Sequence, residues 1–439
     1  MHLLLFLLIL PLSAFCDLYH LPGATVSVYA VKDSQSQPLL DYHSDLNLIP
    51  ASCLKTLTTA AALHFLGPEF RFETKLQYDG LIDPKGTLQG NLFILGGGDP
   101  CLGSDRVEGS LSLQQQITTW ANAIEAAGIK NIQGKILGDD SLWEKALAPP
   151  GWSWEDLGNY YGAGASALSF HENCYVLTLQ PGSSEGCPAT LLNTFPSLPS
   201  FSLQNELKTG PAHSGDQAYI YGSEYTSTHF IRGTIPASVD TFQVKGAIPD
   251  PAKCCSHLLS QELKKRGILL QDQSIPFSPR TTFHKALSPP LKEIVYWIHQ
   301  RSINLYAEHL LKKMGELLYQ EGSTKAGIQA LKHFCHLQKI DTASFHLVDG
   351  SGLSRKNLIT TKLLVETLSK VKKLPFFPLF FQTLAEQGKI RGKTGSMSFV
   401  RGYVGYLRDI TFAIFINHCL DPQKMDDKIE EILQHLQRS

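Results

Sequence analysis

The sequence predicts an α+β fold, an antiparallel sheet flanked by helices and interrupted by a long β-rich insertion. Three observations predict it. Near the start, Gly23 to Val31 alternates like a half-buried strand, Leu39 to Tyr42 fits as its hairpin partner, and an apolar helix follows. Near the end, Phe399 to Leu407 and Ile410 to Asn417 read as adjacent strands around an Arg408-Asp409 turn, with a closing helix at Asp426 to Leu436. Between these ends, Ser166 to Lys245 is rich in Ser, Thr, Gly and Pro and reads as short strands and turns.

The early helix covers Thr56 to Phe65 and stops at Gly67. Just before it stands Pro50-Ala51-Ser52-Cys53-Leu54-Lys55. Ser52 and Lys55 are three residues apart, so on a helix they share a face. Ser52 then sits at the helix N-terminus, where unpaired N–H groups and the positive end of the dipole gather. A serine needs a base to become a nucleophile, and a lysine supplies one when burial or a second cation lowers its pKa. Side chains at adjacent helical positions point apart, so Cys53 is expected to pack rather than react.

Further along, Phe72 to Tyr78, Gly86 to Leu95 and Ile132 to Asp139 read as strands, and Leu113 to Ala127 as a helix. Gly96-Gly97-Gly98-Asp99-Pro100 reads as a tight turn, because no Gly-Lys-Ser/Thr follows to make it a phosphate loop. Gly151 to Gly162 packs Trp152, Trp154, Tyr160, Tyr161, Glu155 and Asp156 into a recognition-like patch. Gly246 to Pro251 reads as a linker and Cys254 to Arg266 as a helix. Helices resume at Glu293 to His299 and Leu305 to Leu318, with Ser302 and Asn304 between them. Asp349 to Arg355 is a glycine-rich turn, Thr361 to Val371 a helix, and Gly392-Lys393-Thr394-Gly395-Ser396 precedes the final strands.

The 439 residues suffice for two or three domains, and 43% hydrophobic with 18% charged residues suits a globular protein. The net charge of −1 offers no basic surplus for nucleic acid. Met1 to Cys16 reads as a secretory signal, cut after Cys16 or, in a lipoprotein, before it, although it lacks an early Lys or Arg. No later segment reads as transmembrane, and the mixed charge of the last helix limits membrane association to a peripheral one. Nine cysteines without a C-x-x-C pair argue against zinc. Cys174 and Cys187 are candidates for a disulfide in an exported chain, and most of the others read as small buried hydrophobes.

Three motifs thus stand in order: Ser52-x-x-Lys55, Ser302-x-Asn304 and Lys393-Thr394-Gly395. That set occurs in penicillin-binding proteins and class A β-lactamases. Two decoys, Ser369/Lys372 and Lys208-Thr209-Gly210, lie out of order. With its large insertion before Ser302, the chain resembles the D-alanyl-D-alanine carboxypeptidase/endopeptidase family of low-molecular-mass class C penicillin-binding proteins, peptidase family S13.

The resemblance implies a serine β-lactamase/transpeptidase-like domain split over residues 17–70 and 285–439. It implies two nested β-rich inserted domains, at 71–165 with 245–284 and at 166–244. It implies an exported, periplasmic serine DD-peptidase that needs no cofactor or metal. Its partners would be peptidoglycan stem peptides, with β-lactams as covalent inhibitors. Ser52 resembles the acylated nucleophile and Lys55 its base. Ser302 would relay a proton to the leaving amine, and Asn304 would hold a substrate amide and contact Lys55. Lys393 and Thr394 would receive a terminal carboxylate. The backbone at Ser52 and Ser396, beside Gly395, would form the oxyanion hole. Arg355, Trp154, Asp156 and Tyr161 match positions that recognise the amine-bearing end of the stem peptide. Two alternatives remain: a β-lactam or D-amino-peptide hydrolase, disfavoured because no dedicated deacylation glutamate is seen, and a non-catalytic peptidoglycan-binding scaffold, disfavoured because every polar motif position is intact.

Overall fold

The computed structural model describes residues 19–438, so the expected signal at residues 1–16 lies outside the described residues. A six-stranded antiparallel sheet joins the two ends of the chain. Its order is Ala385–Gln387, Ile390–Met397, Val400–Leu407, Ile410–Asn417, Thr25–Lys32 and Leu40–Tyr42. The first strand among the described residues therefore pairs with the last, over the full register Thr25↔Asn417 to Lys32↔Ile410.

This sheet is buried on both faces, which explains the unbroken apolar run of its inner strands. Along Ile410–Asn417, Ala413 and Phe415 face the cluster around the helix Lys55–Leu66. Phe412, Ile414 and Ile416 face the other way, onto Met425, Ile432 and Leu436 of the helix Pro422–Arg438. The period of two along a strand sets this partition. The closing helix is thus longer at both ends than the sequence pattern predicts.

The helix Lys55–Leu66 is apolar all round because it is surrounded. Lys55 to Leu63 are all buried, and the helix packs on the helices Leu291–Arg301, Asn304–Tyr319, Thr324–Leu337 and Thr361–Val371. Its buried threonines satisfy their hydroxyls on backbone: Thr56 donates to Cys53 O at 2.8 Å, Thr58 to Gly350 O at 2.7 Å and Thr59 to Lys55 O at 2.7 Å. Gly67 ends it at φ +81°, as its position predicted.

The intervening chain forms four smaller sheets. Thr281–Leu287, Glu73–Tyr78, Leu92–Leu95 and Ile136–Asp139 make one, and Leu269–Leu270, Asn131–Ile132, Thr87–Gln89 and Leu81–Ile82 a second. The single strands expected at Gly86 to Leu95 and Ile132 to Asp139 are each two strands in two sheets. Both chains change sheet together at Gly90 and Gly134, joined by Gly134 N to Gly90 O at 3.0 Å. A side chain at Gly90 would collide with Asp79 O, and one at Gly134 with Gly90 O, so glycine permits the crossing. Cys174–Gln180, Thr190–Phe195 and Phe242–Ala247 form the third sheet, and Ser202–Asn205, Lys208–Gly210, Gln217–Tyr221 and Thr228–Pro236 the fourth. The expected linker at 246–251 is in part strand, and its Asp250 caps the helix Pro251–Lys265 through Lys253 N at 3.0 Å.

Cys174 and Cys187, the candidates for a disulfide, are not bonded, and both are free thiols. Cys174 begins the strand Cys174–Gln180, whereas Cys187 packs beyond its far end, near Gly182. Seven residues of strand span about 20 Å, far more than a disulfide bridges.

Candidate active site

Ser52 lies on the one-turn 3-10 segment Ala51–Leu54 that leads into the helix Lys55–Leu66. Its neighbour Ala51 has φ +46°, and Ser302 has φ +56°. Left-handed backbone at non-glycine residues is strained and gathers at functional sites. Ser302 occupies the C-cap of the helix Leu291–Arg301, a place glycine usually takes.

Lys55 connects the motifs. Its side chain is fully buried, and its Nζ lies 2.8 Å from Ser52 Oγ, 2.6 Å from Asn304 Oδ1 and 2.7 Å from Ser351 O. Three acceptors satisfy an ammonium completely. They equally suit a neutral amine, which donates to Asn304 and Ser351 while its lone pair accepts the Ser52 hydroxyl. Burial and the nearby charge of Lys393 lower the Lys55 pKa to about 7, against opposing pulls from Asp349 and Glu308. A base poised there is half neutral near physiological pH.

Two buried carboxylates hold the Ser351 carbonyl in place. Glu308 accepts from Gly350 N at 3.1 Å and Ser351 N at 2.8 Å. Asp349 accepts from Gly352 N at 2.8 Å, Ser354 N at 2.6 Å, Trp152 Nε1 at 3.0 Å and Asn357 Nδ2 at 2.7 Å. Burial raises Glu308 to about 7 and also raises Asp349. Sequence reasoning missed Glu308. The signal was present: Asn304, Glu308 and Lys312 fall four apart, so they share one face of the helix with the motif residue Asn304. It also missed the carbonyl of Tyr161, which accepts from Asn304 Nδ2 at 2.8 Å and fixes that amide.

The strand Ile390–Met397 brings the third motif. Its outer neighbour, Ala385–Gln387, pairs only as far as Gly392, so residues 393–397 present an unpaired edge. A Cβ at Gly395 would lie 2.8 Å from Pro50 O and 3.0 Å from Ser52 N, so glycine lets this edge approach the nucleophile's amide. Lys393 is buried at 3% exposure, and its Nζ donates to Thr394 O at 2.7 Å. Burial lowers its pKa to about 8. Thr394 and Ser396 are exposed. Cys53 is buried with its thiol pushed up to about 12 by burial, and its Sγ contacts Lys393 O, so it packs as expected.

Beside these groups lies a cleft of about 640 Å³, whose lining does not include Lys55, Lys393, Thr394 or Gly395. Ser52, Ser302, Asn304, Arg355 and Ser396 line it, as do Asp156 and Tyr161. Burial raises the Asp156 pKa, while Arg355 and the Tyr161 hydroxyl favour its charged form. Arg355 donates to Ser398 O at 3.1 Å. Trp154 lies outside this lining, its exposed ring 6.4 Å from that of Tyr221. No group of three His, Cys, Asp or Glu side chains able to hold a metal occurs among the described residues.

The arrangement suits acyl transfer to a serine with a lysine base. The family model described as "D-Ala-D-Ala carboxypeptidase 3 (S13) family" matches residues 12–439, and the chain belongs to that family. A D-alanyl-D-alanine carboxypeptidase from an Actinomadura species is 26% identical over 420 residues, covering 88% of this chain and 76% of the relative. D-alanyl-D-alanine carboxypeptidase DacB from Haemophilus influenzae is 24% identical over 423 residues, covering 90% and 86%. The crystal structure of penicillin binding protein 4 (dacB) from the same organism superposes with a TM-score of 0.82 at 22% identity, over 98% of this chain and all of the other. The fold is therefore α+β with a serine β-lactamase/transpeptidase-like domain, as the motifs implied.

Proposed function

We propose that the protein is a penicillin-sensitive serine DD-peptidase acting on peptidoglycan stem peptides outside the cytoplasm. The observation that carries the reading is the buried Lys55 amine, bonded at once to Ser52, Asn304 and Ser351 beside a second buried lysine. Ser52 Oγ attacks the carbonyl of a D-Ala-D-Ala bond and passes its proton to Lys55 Nζ. The Ser52 amide and the strand edge at Ser396 stabilise the oxyanion. As the C–N bond breaks, the proton moves from Lys55 through Ser302 to the leaving nitrogen. Water then attacks the ester, Lys55 takes its proton, and Ser52 is restored. Lys393 acts on the leaving carboxylate through its charge and keeps Lys55 deprotonated. Asn304 orients Lys55 and the substrate amide. Asp156, Tyr161 and Arg355 take the amine-bearing end of the stem peptide.

The same reading assigns the catalytic unit to residues 17–70 and 285–439, with nested insertions at 71–165 with 245–284 and at 166–244. The pairing of the strand Thr281–Leu287 with Glu73–Tyr78 supports a return to the catalytic unit near this strand.

Fluorescent penicillin, applied to wild type and Ser52→Ala, tests the mechanism. Wild type should label and release D-alanine from a D-Ala-D-Ala peptide, while the variant does neither. Labelling of a folded Ser52→Ala overturns the assignment of the nucleophile. A wild type that neither labels nor releases D-alanine overturns the enzyme.

A further inference from the structure

The cleft is also lined by Arg106, Glu172, Cys174 and Arg301, the last directly preceding Ser302, the residue assigned above to the leaving nitrogen. None of these belongs to the three motifs. Arg106 forms a two-point ion pair with Glu172, Nε to Oε1 at 2.7 Å and Nη2 to Oε2 at 3.0 Å. Glu172 Oε1 also accepts from Tyr306 at 2.7 Å and Ser104 at 2.9 Å. Burial opposes its ionisation, but the hydrogen bonds from Arg106 and Tyr306 prevail and hold its pKa below the usual range.

Arg106 also lies over the ring of Trp297, 5.8 Å from its centroid. Trp297 and Arg301 are four residues apart on the helix Leu291–Arg301, so they share a face. Two guanidinium groups thus line the cleft on the Ser302 side, and the carboxylate of Glu172 beside them is already occupied by Arg106. Arg301 is exposed and makes no hydrogen bond or ion pair among the described residues.

The turn that carries Glu172 is strained. His171, Glu172 and Asn173 all have left-handed φ, at +54°, +54° and +49°. Such a conformation persists only where its surroundings impose it. Asn173 supplies part of that support, donating to Gly164 O and Ser169 Oγ at 2.8 Å each and accepting from Phe170 N at 2.9 Å. The turn sets the Glu172 carboxylate against Arg106.

We infer that this end of the cleft is the subsite for the leaving group, built for a carboxylate-bearing peptide rather than for a single amino acid. A cross-linked stem peptide leaves as such a chain, and its carboxylates meet Arg301 and the outer face of Arg106. A lone D-alanine leaves without reaching it. Arg301 is then a specificity residue that favours cleavage of cross-links. The inference rests on the peptidase reading above.

Wild type, Arg301→Glu, Arg301→Ala and Arg301→Lys should be compared on a purified cross-linked muropeptide dimer and on a monomeric pentapeptide. Penicillin labelling reports the folded fraction of each. The ratio of dimer cleavage to D-alanine release should fall about tenfold in Arg301→Glu and about threefold in Arg301→Ala, as for an exposed charge meeting a carboxylate. Arg301→Lys should retain most of the ratio, and added salt should lower it in wild type. An unchanged ratio in both Arg301→Glu and Arg301→Ala overturns the subsite. A wild type that fails to label or to cleave either substrate overturns the peptidase reading instead.

Discussion

Two motifs occur twice in this chain, and only one copy of each lies at the nucleophile. Ser52 and Lys55 are joined at 2.8 Å over a buried base. Ser369 and Lys372 have the same spacing at the end of the helix Thr361–Val371. There the lysine reaches away to Asp33 at 2.7 Å, and the serine hydroxyl is buried without a partner among the described residues. Lys393-Thr394-Gly395 lies on an edge facing the nucleophile. Lys208-Thr209-Gly210 pairs in parallel with Thr228–Pro236, its lysine exposed and its threonine accepting from Gly182 N at 2.7 Å. Equal spelling thus gives unequal chemistry. What separates the copies is whether a second element brings charge and acceptors to a desolvated lysine.

Substitutions in matched pairs test that contrast. The largest effect is expected at the nucleophile. Ser52→Ala should lower the rate constant of peptide cleavage by about 10⁶-fold, whereas Ser369→Ala should leave it near wild type. Steady-state release of D-alanine measures both.

Next comes the strand edge. Gly395→Ala must push against the backbone at Pro50 and Ser52, and displacement of that order costs about 10²-fold in rate. Gly210→Ala meets only the side chains of Thr234 and Ser214, and should leave activity unchanged. A fully active Gly395→Ala would remove the close approach as a requirement.

The pH profile is a finer probe. Acylation should rise as Lys55 loses its proton through about pH 7 and fall as Lys393 loses its own through about pH 8. Removing the Lys393 charge relieves repulsion on protonated Lys55, so its pKa rises. In Lys393→Gln the residual acid limb should therefore move to higher pH, while Lys208→Gln leaves it in place. A downward move contradicts the assignment of Lys55 as base.

The smallest effect concerns thiols. Cys53 is buried beside the nucleophile with its pKa raised, whereas hydrogen bonds from Ser184 and Ser183 lower that of Cys187. An alkylating reagent should modify Cys187 first and leave activity intact. Mass mapping that found Cys53 modified first would show the nucleophile turn to be more open than the fold implies.

Much of this was legible in the chain. Alternating residues located the strand Thr25–Lys32, a largely apolar run located Ile410–Asn417, and a stop glycine located the end of the helix Lys55–Leu66. The order and spacing of three short motifs pointed to the family. Such signals are local: periodicity, caps and turns are written within about ten residues.

The tertiary structure alone decided the rest. The third acceptor on Lys55 is the carbonyl of Ser351, and the partner of the Asn304 amide is the carbonyl of Tyr161. Every residue carries a carbonyl, so no side chain advertises that role. Trp154 matched a recognition position yet stands outside the cleft, and Cys174 and Cys187 lie at opposite ends of a strand. Side-chain identity states what a residue is able to do. Only the packing of distant segments decides what it meets, and for Lys55 that meeting turns an ordinary amine into a base.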